Sequence, residues 1–271
     1  MDYKIEGSAA VQTLLIPGGP GLPPAFYKEL TDQLAQVCEV ITYAPRGSQD
    51  PATDDYPRSV EEYVEECEAV VTAAADPGKP LILLGQSFGA AVALEMLARG
   101  HAASGALLIN GFDSTEMLAR GLQARREALP EAFHAAYRQL SGDNLAELLP
   151  LLSQYFYPKH FCRLDPWPDS FLSSLGSLNL KLAEYWLGPD LFEAKGALDG
   201  WSRTEDLGSI DIPVLVVSGA NDYYLEVDNR RFADALPQGE LWLSEIAGHT
   251  PWVEDPQPFF ERVREFIGRV G

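Results

Sequence analysis

Gly85-Gln86-Ser87-Phe88-Gly89 sets a hydroxyl between two residues that lack a Cβ, and its flanks give that spacing a chemical meaning. Before it, Pro80-Leu81-Ile82-Leu83-Leu84 reads as a short buried strand. After it, Ala90-Ala91-Val92-Ala93-Leu94-Glu95-Met96-Leu97-Ala98-Arg99 is rich in helix formers and is closed by Gly100. Strand, Gly-x-Ser-x-Gly and helix make an elbow that presents a nucleophilic serine at the positive end of the helix. The glycines allow a passage too tight for larger residues. A structural turn is the competing reading, because small residues gather in any loop.

A serine hydroxyl becomes a useful nucleophile only when a base removes its proton, so a histidine is required. The chain has four. His101 follows the elbow helix and reads as a surface residue, His134 sits in a helical pattern, and His160 lies in a proline-containing loop. His249, in Ala247-Gly248-His249-Thr250-Pro251-Trp252, stands after the last strand and before the final helix, at the edge of the sheet where the elbow opens. It is the expected base. An acid must then hold the imidazole in one tautomer and stabilise its cation. Asp222, in Ser218-Gly219-Ala220-Asn221-Asp222, has the right place after the preceding strand, with Asp113 as the rival and Asp228 too far along the next helix. Backbone N–H donors for a developing oxyanion are expected from Phe88 and from Gly19 of the loop Pro17-Gly18-Gly19-Pro20-Gly21. That loop can also be a plain turn.

The elements that must position these residues alternate as in a parallel sheet with crossover helices. Strands are expected at Val11–Ile16, Glu39–Tyr43, Leu81–Leu84, Ala106–Ile109, Val214–Val217 and Leu241–Leu243. Ser59-Val60-Glu61-Glu62 is a capping box that should open a helix through Ala75. A helix around Phe259–Ile267 closes the chain. Between about Ser114 and Gly208 the rhythm breaks into helical segments at Met117–Leu129, Glu131–Leu140 and Asn144–Tyr155, followed by an aromatic-rich stretch. The organisation expected is a core of residues 1–113 and 209–271, with residues 114–208 as a helical cap over the end of the sheet where such folds bind ligands. Most cap aromatics should form its own core, and a minority should line a pocket.

With 271 residues the chain is long enough for one large domain with an insertion. Twenty basic and forty acidic residues give a net charge of −20, which argues against nucleic acid or an anionic membrane as partner. Three scattered cysteines offer neither a metal-ligand spacing nor a disulfide framework. The first residues carry neither a basic nor an apolar segment of a signal peptide, and no apolar run reaches membrane-spanning length. A reduced, cytoplasmic protein is the default expectation. The chemistry above calls for no cofactor or metal.

These residues resemble the α/β-hydrolase superfamily and, within it, the proline iminopeptidase family. That family carries His-Gly-Gly-Pro-Gly at its oxyanion loop, and Pro17–Gly21 matches four of the five positions. Tyr43-Ala44-Pro45-Arg46-Gly47-Ser48 is similar to the family's Tyr-Asp-Gln-Arg-Gly-Ser. Gly85–Gly89, Gly219–Asp222 and Gly248-His249 fall in the family's order. Tyr155-Phe156-Tyr157, Trp167-Pro168 and Gly188-Pro189-Asp190-Leu191-Phe192 extend the resemblance into the cap. It implies an α/β-hydrolase fold, a Ser87–Asp222–His249 triad and cleavage of a small amide, peptide or ester through an acyl-enzyme, with an aminopeptidase as the first candidate.

The departures bear on substrate. Pro17 replaces the motif's histidine. The family grips a free amine with two carboxylates, and the matching positions here are Leu191 and Tyr223, neither of them charged. Asp190, Glu193 and Glu226 lie close enough in sequence to form a relocated amine site. A carboxylesterase, amidase or thioesterase is the alternative activity, hydrolysis of a carbon–carbon bond a third, and a non-catalytic ligand-binding protein the remote one. Dehalogenase and epoxide hydrolase chemistry would need an aspartate in place of Ser87. The expected partner is a small molecule or short peptide.

Overall fold

The computed structural model describes residues 2–271. Seven strands, β1 (Tyr3–Glu6), β2 (Gln12–Ile16), β3 (Glu39–Tyr43), β4 (Leu81–Gln86), β5 (Gly105–Ile109), β6 (Val214–Gly219) and β7 (Gly239–Ser244), form one sheet in the order β1-β3-β2-β4-β5-β6-β7. Every neighbouring pair is parallel except β1 with β3. β2, β5 and β6 are buried at every residue. Both faces of the sheet are covered there, which is why these strands read as unbroken apolar runs rather than alternating ones. All six strands expected from the sequence are present. β1 was not anticipated: its four residues are all exposed, so it carries no apolar signal, and antiparallel pairing with β3 holds it.

The helices of the first half are α1 (Lys28–Leu34), α2 (Val60–Ala74) and α3 (Phe88–Ala98). Ser59 caps α2 as its sequence suggests, its side chain accepting from the Glu62 amide at 3.3 Å. Between β5 and β6 the chain inserts a helical region of α4 (Thr115–Glu127), α5 (Glu131–Tyr137), α6 (Leu145–Leu151), α7 (Tyr157–His160), α8 (Asp169–Gly176) and α9 (Leu180–Leu187). The single helix expected over Asn144–Tyr155 is α6 followed by a wider π turn over Leu152–Phe156. Pro158 supplies the reason. Its ring would collide with the carbonyl four residues back in a regular α-helix, and it has no N–H to donate there. After β6 come α10 (Glu226–Asp234), α11 (Pro251–Glu254) and α12 (Pro256–Val270). Among the described residues no helix is long and apolar enough to cross a membrane.

The two ends of the insertion are tied together and to the helix that follows Ser87. Ser114 and Ser202 form an antiparallel bridge, the Thr115 amide donates to Trp201 O at 2.9 Å, and the Arg203 amide donates to Asp113 O at 2.8 Å. Glu95 of α3, only 1% exposed, receives Arg203 Nε at 2.7 Å and Nη2 at 2.6 Å, Trp201 Nε1 at 3.1 Å and Arg99 Nε at 2.7 Å. Burial alone would push the Glu95 carboxyl up, but the bonds from Arg203, Trp201 and Arg99 outweigh it and hold it below its usual value.

A carboxyl depressed in the folded state stabilises the protein above its unfolded pKa and loses that contribution as pH falls through the folded value. Glu95→Ala should therefore cost about 2–3 kcal/mol at pH 7, below a fully buried pair because Arg203 is partly solvated. In urea denaturation, the gap to the unmodified protein should narrow as pH falls below about 4.3. A gap that persists unchanged into acid would contradict the ionic origin of the effect.

Candidate active site

The elbow is built by close approach. A Cβ on Gly85 would lie 2.4 Å from Gly89 O, and one on Gly89 would lie 2.0 Å from Ile16 O, so neither position admits a side chain. Ser87, between them, holds φ 54° and ψ −117°, a conformation costing of order 1–3 kcal/mol that persists only where its surroundings enforce it. Its amide is pinned to Ile109 O at 2.9 Å, on the neighbouring β5.

A buried phenol links this elbow to the loop after β2. Tyr27 accepts the Gly18 N–H at 2.6 Å and donates to Gln86 Oε1 at 2.9 Å. Burial raises the Tyr27 pKa well above its usual value, so the hydroxyl stays neutral and serves both bonds. The neighbouring Gly19 has φ 77° and borders the same cavity as Ser87 and Phe88. Among the described residues no backbone acceptor outside the helices and strands takes the Gly19 or Phe88 amide proton.

Asp222 is fully buried and carries four donors. Oδ1 receives His249 Nδ1 at 2.6 Å and the Tyr223 amide at 2.6 Å. Oδ2 receives Asn110 Nδ2 at 2.6 Å and Ser218 Oγ at 2.9 Å. Hydrogen bonds of this kind offset the desolvation of a buried carboxylate. The His249 amide donates to Phe161 O at 2.8 Å, and its ring stacks on Tyr223 at 4.1 Å with 16° between the planes. With Nδ1 committed to Asp222, Nε2 is the nitrogen left for chemistry. His249 and Ser87 border one cavity without a direct hydrogen bond between them, and such contacts commonly tighten only in the substrate complex.

The rivals are engaged elsewhere. Asp113 accepts from Ser114 Oγ at 3.0 Å and lies 2.8 Å from Arg231, while Asp228 pairs with Arg120. His101 lies 2.9 Å from Glu68. His160 packs behind the acid loop, Nδ1 2.7 Å from Asn221 O, and burial lowers its pKa.

The cavity at Ser87 holds about 110 Å³ and is walled almost wholly by leucine and aromatic side chains. Leu191 and Tyr223 border it, and among the described residues no Asp or Glu does. Asp190 does not reach it: this carboxylate lies in a separate cleft with Tyr137 and Arg138, hydrogen-bonded to the Tyr137 hydroxyl and to the Phe192 amide. Glu226 opens α10 and pairs with Arg230 at 2.6 Å, and Glu193 is exposed. The relocated amine site is therefore not formed, because each neighbouring carboxylate has a partner or solvent outside the cavity. Of the insertion's aromatics, Tyr157 and Phe161 line the cavity, Phe156 and Phe192 pack on each other, and Phe171 and Trp186 are buried against Phe26 and Phe88 outside the insertion. No cluster of three His, Cys, Asp or Glu side chains fit to hold a metal occurs among the described residues.

Several contributors escaped the sequence reading. Asn110 and Ser218 cradle Asp222, yet each looks like an ordinary residue at a strand end. Arg125, half-buried on α4, donates to the carbonyls of Asp222 at 2.8 Å and Ala220 at 3.0 Å and so fixes the acid loop from the insertion. The Tyr224 hydroxyl is sealed from water with no hydrogen-bond partner of good geometry. Burial raises its pKa far above the usual value, and the adjacent Ser87 hydroxyl is the group that pulls it back. The doubled tyrosine after Asp222 was the available signal.

The mostly parallel sheet, its flanking helices and the inserted helical region define an α/β-hydrolase fold. The sequence profile of the alpha/beta hydrolase family matches residues 13–262, and the chain belongs to that family. A proline iminopeptidase of Thermoplasma volcanium is 26% identical over 97% of this chain and 90% of its own. One of Saccharolobus solfataricus is 25% identical over 99% and 88%. Among solved structures, the Mycobacterium smegmatis proline iminopeptidase superposes with a TM-score of 0.86 at 23% identity, covering 99% of this chain and 94% of that one. VinJ superposes with a TM-score of 0.87 at 24% identity, covering 99% and 95%.

Asn110→Ala removes a donor from a charged acceptor, an interaction worth about 1.5–3 kcal/mol. Loss of that restraint on Asp222 should lower kcat by about tenfold or more with little change in KM. An unchanged kcat for any hydrolysed ester would contradict the role assigned to this cradle.

Proposed function

We propose that this protein is a serine hydrolase that cleaves uncharged esters, thioesters or amides through an acyl-enzyme. Ser87 attacks the carbonyl carbon while His249 Nε2 takes its proton, and Asp222 holds the imidazole and stabilises its cation. The amides of Gly19 and Phe88 hold the oxyanion. Collapse of the tetrahedral adduct expels the leaving group, which receives the proton from His249. Water then repeats the sequence on the acyl-Ser87 ester and releases the acid.

The observation that carries the choice of substrate is the absence of any carboxylate from the wall around Ser87 and His249. Placing an ammonium there would strip its water without supplying a counter-charge, which costs several kcal/mol. An uncharged acyl group meets no such penalty. The second reading is an aminopeptidase of proline iminopeptidase type, and its support is the full-length similarity to enzymes of that name. Leu191 and Tyr223 weigh against it, since both border the cavity where an amine would need an anion.

Steady-state kinetics on p-nitrophenyl butanoate and on a prolyl arylamide separate the two. The ester should be turned over with a kcat/KM at least about a hundredfold higher, corresponding to about 2.7 kcal/mol of transition-state discrimination. A prolyl arylamide that outperforms the ester would overturn the proposal in favour of the aminopeptidase.

A further inference from the structure

The cavity also carries information about shape. Its walls include Leu118 and Leu122 from α4, Leu145 and Leu149 from α6, Leu178 before α9 and Leu187 at its end. Leucine side chains drawn from several elements make up about half of the lining and outnumber its five aromatic rings, Phe88, Phe112, Tyr157, Phe161 and Tyr223. The polar side chains at the border are few. Gln86 is occupied by Tyr27, and Ser87 and His249 are assigned to the reacting carbonyl. The Tyr157 and Tyr223 hydroxyls are the other polar groups at the border, so a group lying among the leucines is recognised chiefly by apolar contact.

Volume sets its size. A cavity of about 150 Å³ lined by similar residues accepts benzene, and this one holds about 110 Å³. A partly open recess beside the nucleophile also suits one half of the substrate better than the other. The acyl group remains attached through both steps, whereas the leaving group must depart and water must enter between them.

Resting on the acyl-enzyme reading above, we propose that the leucine-lined cavity binds an aliphatic acyl chain of about four to six carbons, with the leaving group on the solvent side. Each methylene buried contributes about 0.8 kcal/mol, a factor of about four in kcat/KM. Beyond the cavity's capacity a further methylene gains nothing and must displace packed leucines.

The test uses the full chain and two ester series. In p-nitrophenyl esters from acetate to dodecanoate, kcat/KM should climb by about fourfold per methylene up to butanoate or hexanoate and fall beyond octanoate. In butanoate esters of alcohols of increasing length, it should vary little. Leu149→Ala enlarges the cavity from a half-buried position and should move the acyl optimum to a longer chain. A flat acyl profile, an optimum at acetate, a steep dependence on the alcohol instead, or an optimum unmoved by Leu149→Ala would overturn the proposal. A fluorophosphonate probe keeps the two levels apart. Labelling lost in Ser87→Ala together with a flat profile removes only the acyl-chain inference, whereas a failure to label Ser87 removes the serine hydrolase reading and this inference with it.

Discussion

The buried carboxylate of Asp222 is the constraint around which the site is organised. A fully desolvated anion would be prohibitively costly without hydrogen bonds, and its four donors come from four places in the chain: the end of β5, the end of β6, its own loop and the loop after β7. Satisfying one group thus fixes the relative positions of three strand ends. The same requirement brings His249 to Ser87, because β5 also accepts the Ser87 amide through Ile109. Arg125 extends the arrangement to the insertion by holding the carbonyl of Asp222 itself.

Around this polar cluster the wall of the cavity is apolar, and the contrast explains what the site can discriminate. Charge is concentrated where proton transfer needs it and absent where a substrate would lie. The carboxylates nearest in sequence are drawn away by Tyr137, Arg230 and solvent. Similarity to proline iminopeptidases over almost the whole chain establishes the architecture, while the proposed specificity rests on a few cavity side chains such as Leu191 and Tyr223. Fold and substrate can therefore diverge independently.

Much of the architecture was legible before any coordinates. Strands buried on both faces announce themselves as apolar runs, and the elbow glycines announce a turn, so β2 to β7 and Ser87 could be placed by inspection. The exposed β1 could not, since its existence depends on pairing with β3 rather than on burial. The π turn before Pro158 was likewise hidden, because the proline signals interruption without saying what form it takes. Asp190 shows the sharper limit. Adjacency to Leu191 in sequence suggested a shared pocket, yet neighbouring residues point to different faces, and Leu191 borders the cavity while Asp190 turns to Tyr137. Contacts across long separations, such as Asn110 with Asp222 or Glu95 with Arg203, lie beyond local pattern altogether.

A covalent intermediate between Ser87 and an uncharged acyl group is the step on which the proposed chemistry turns. Acid quenching of a p-nitrophenyl butanoate reaction within its first turnovers, followed by intact-mass and peptide analysis, tests it directly. One butanoyl group per chain is expected, located on Ser87 and absent from Ser87→Ala. Product formed at a steady rate with no acyl adduct, or an adduct on another residue, would contradict it.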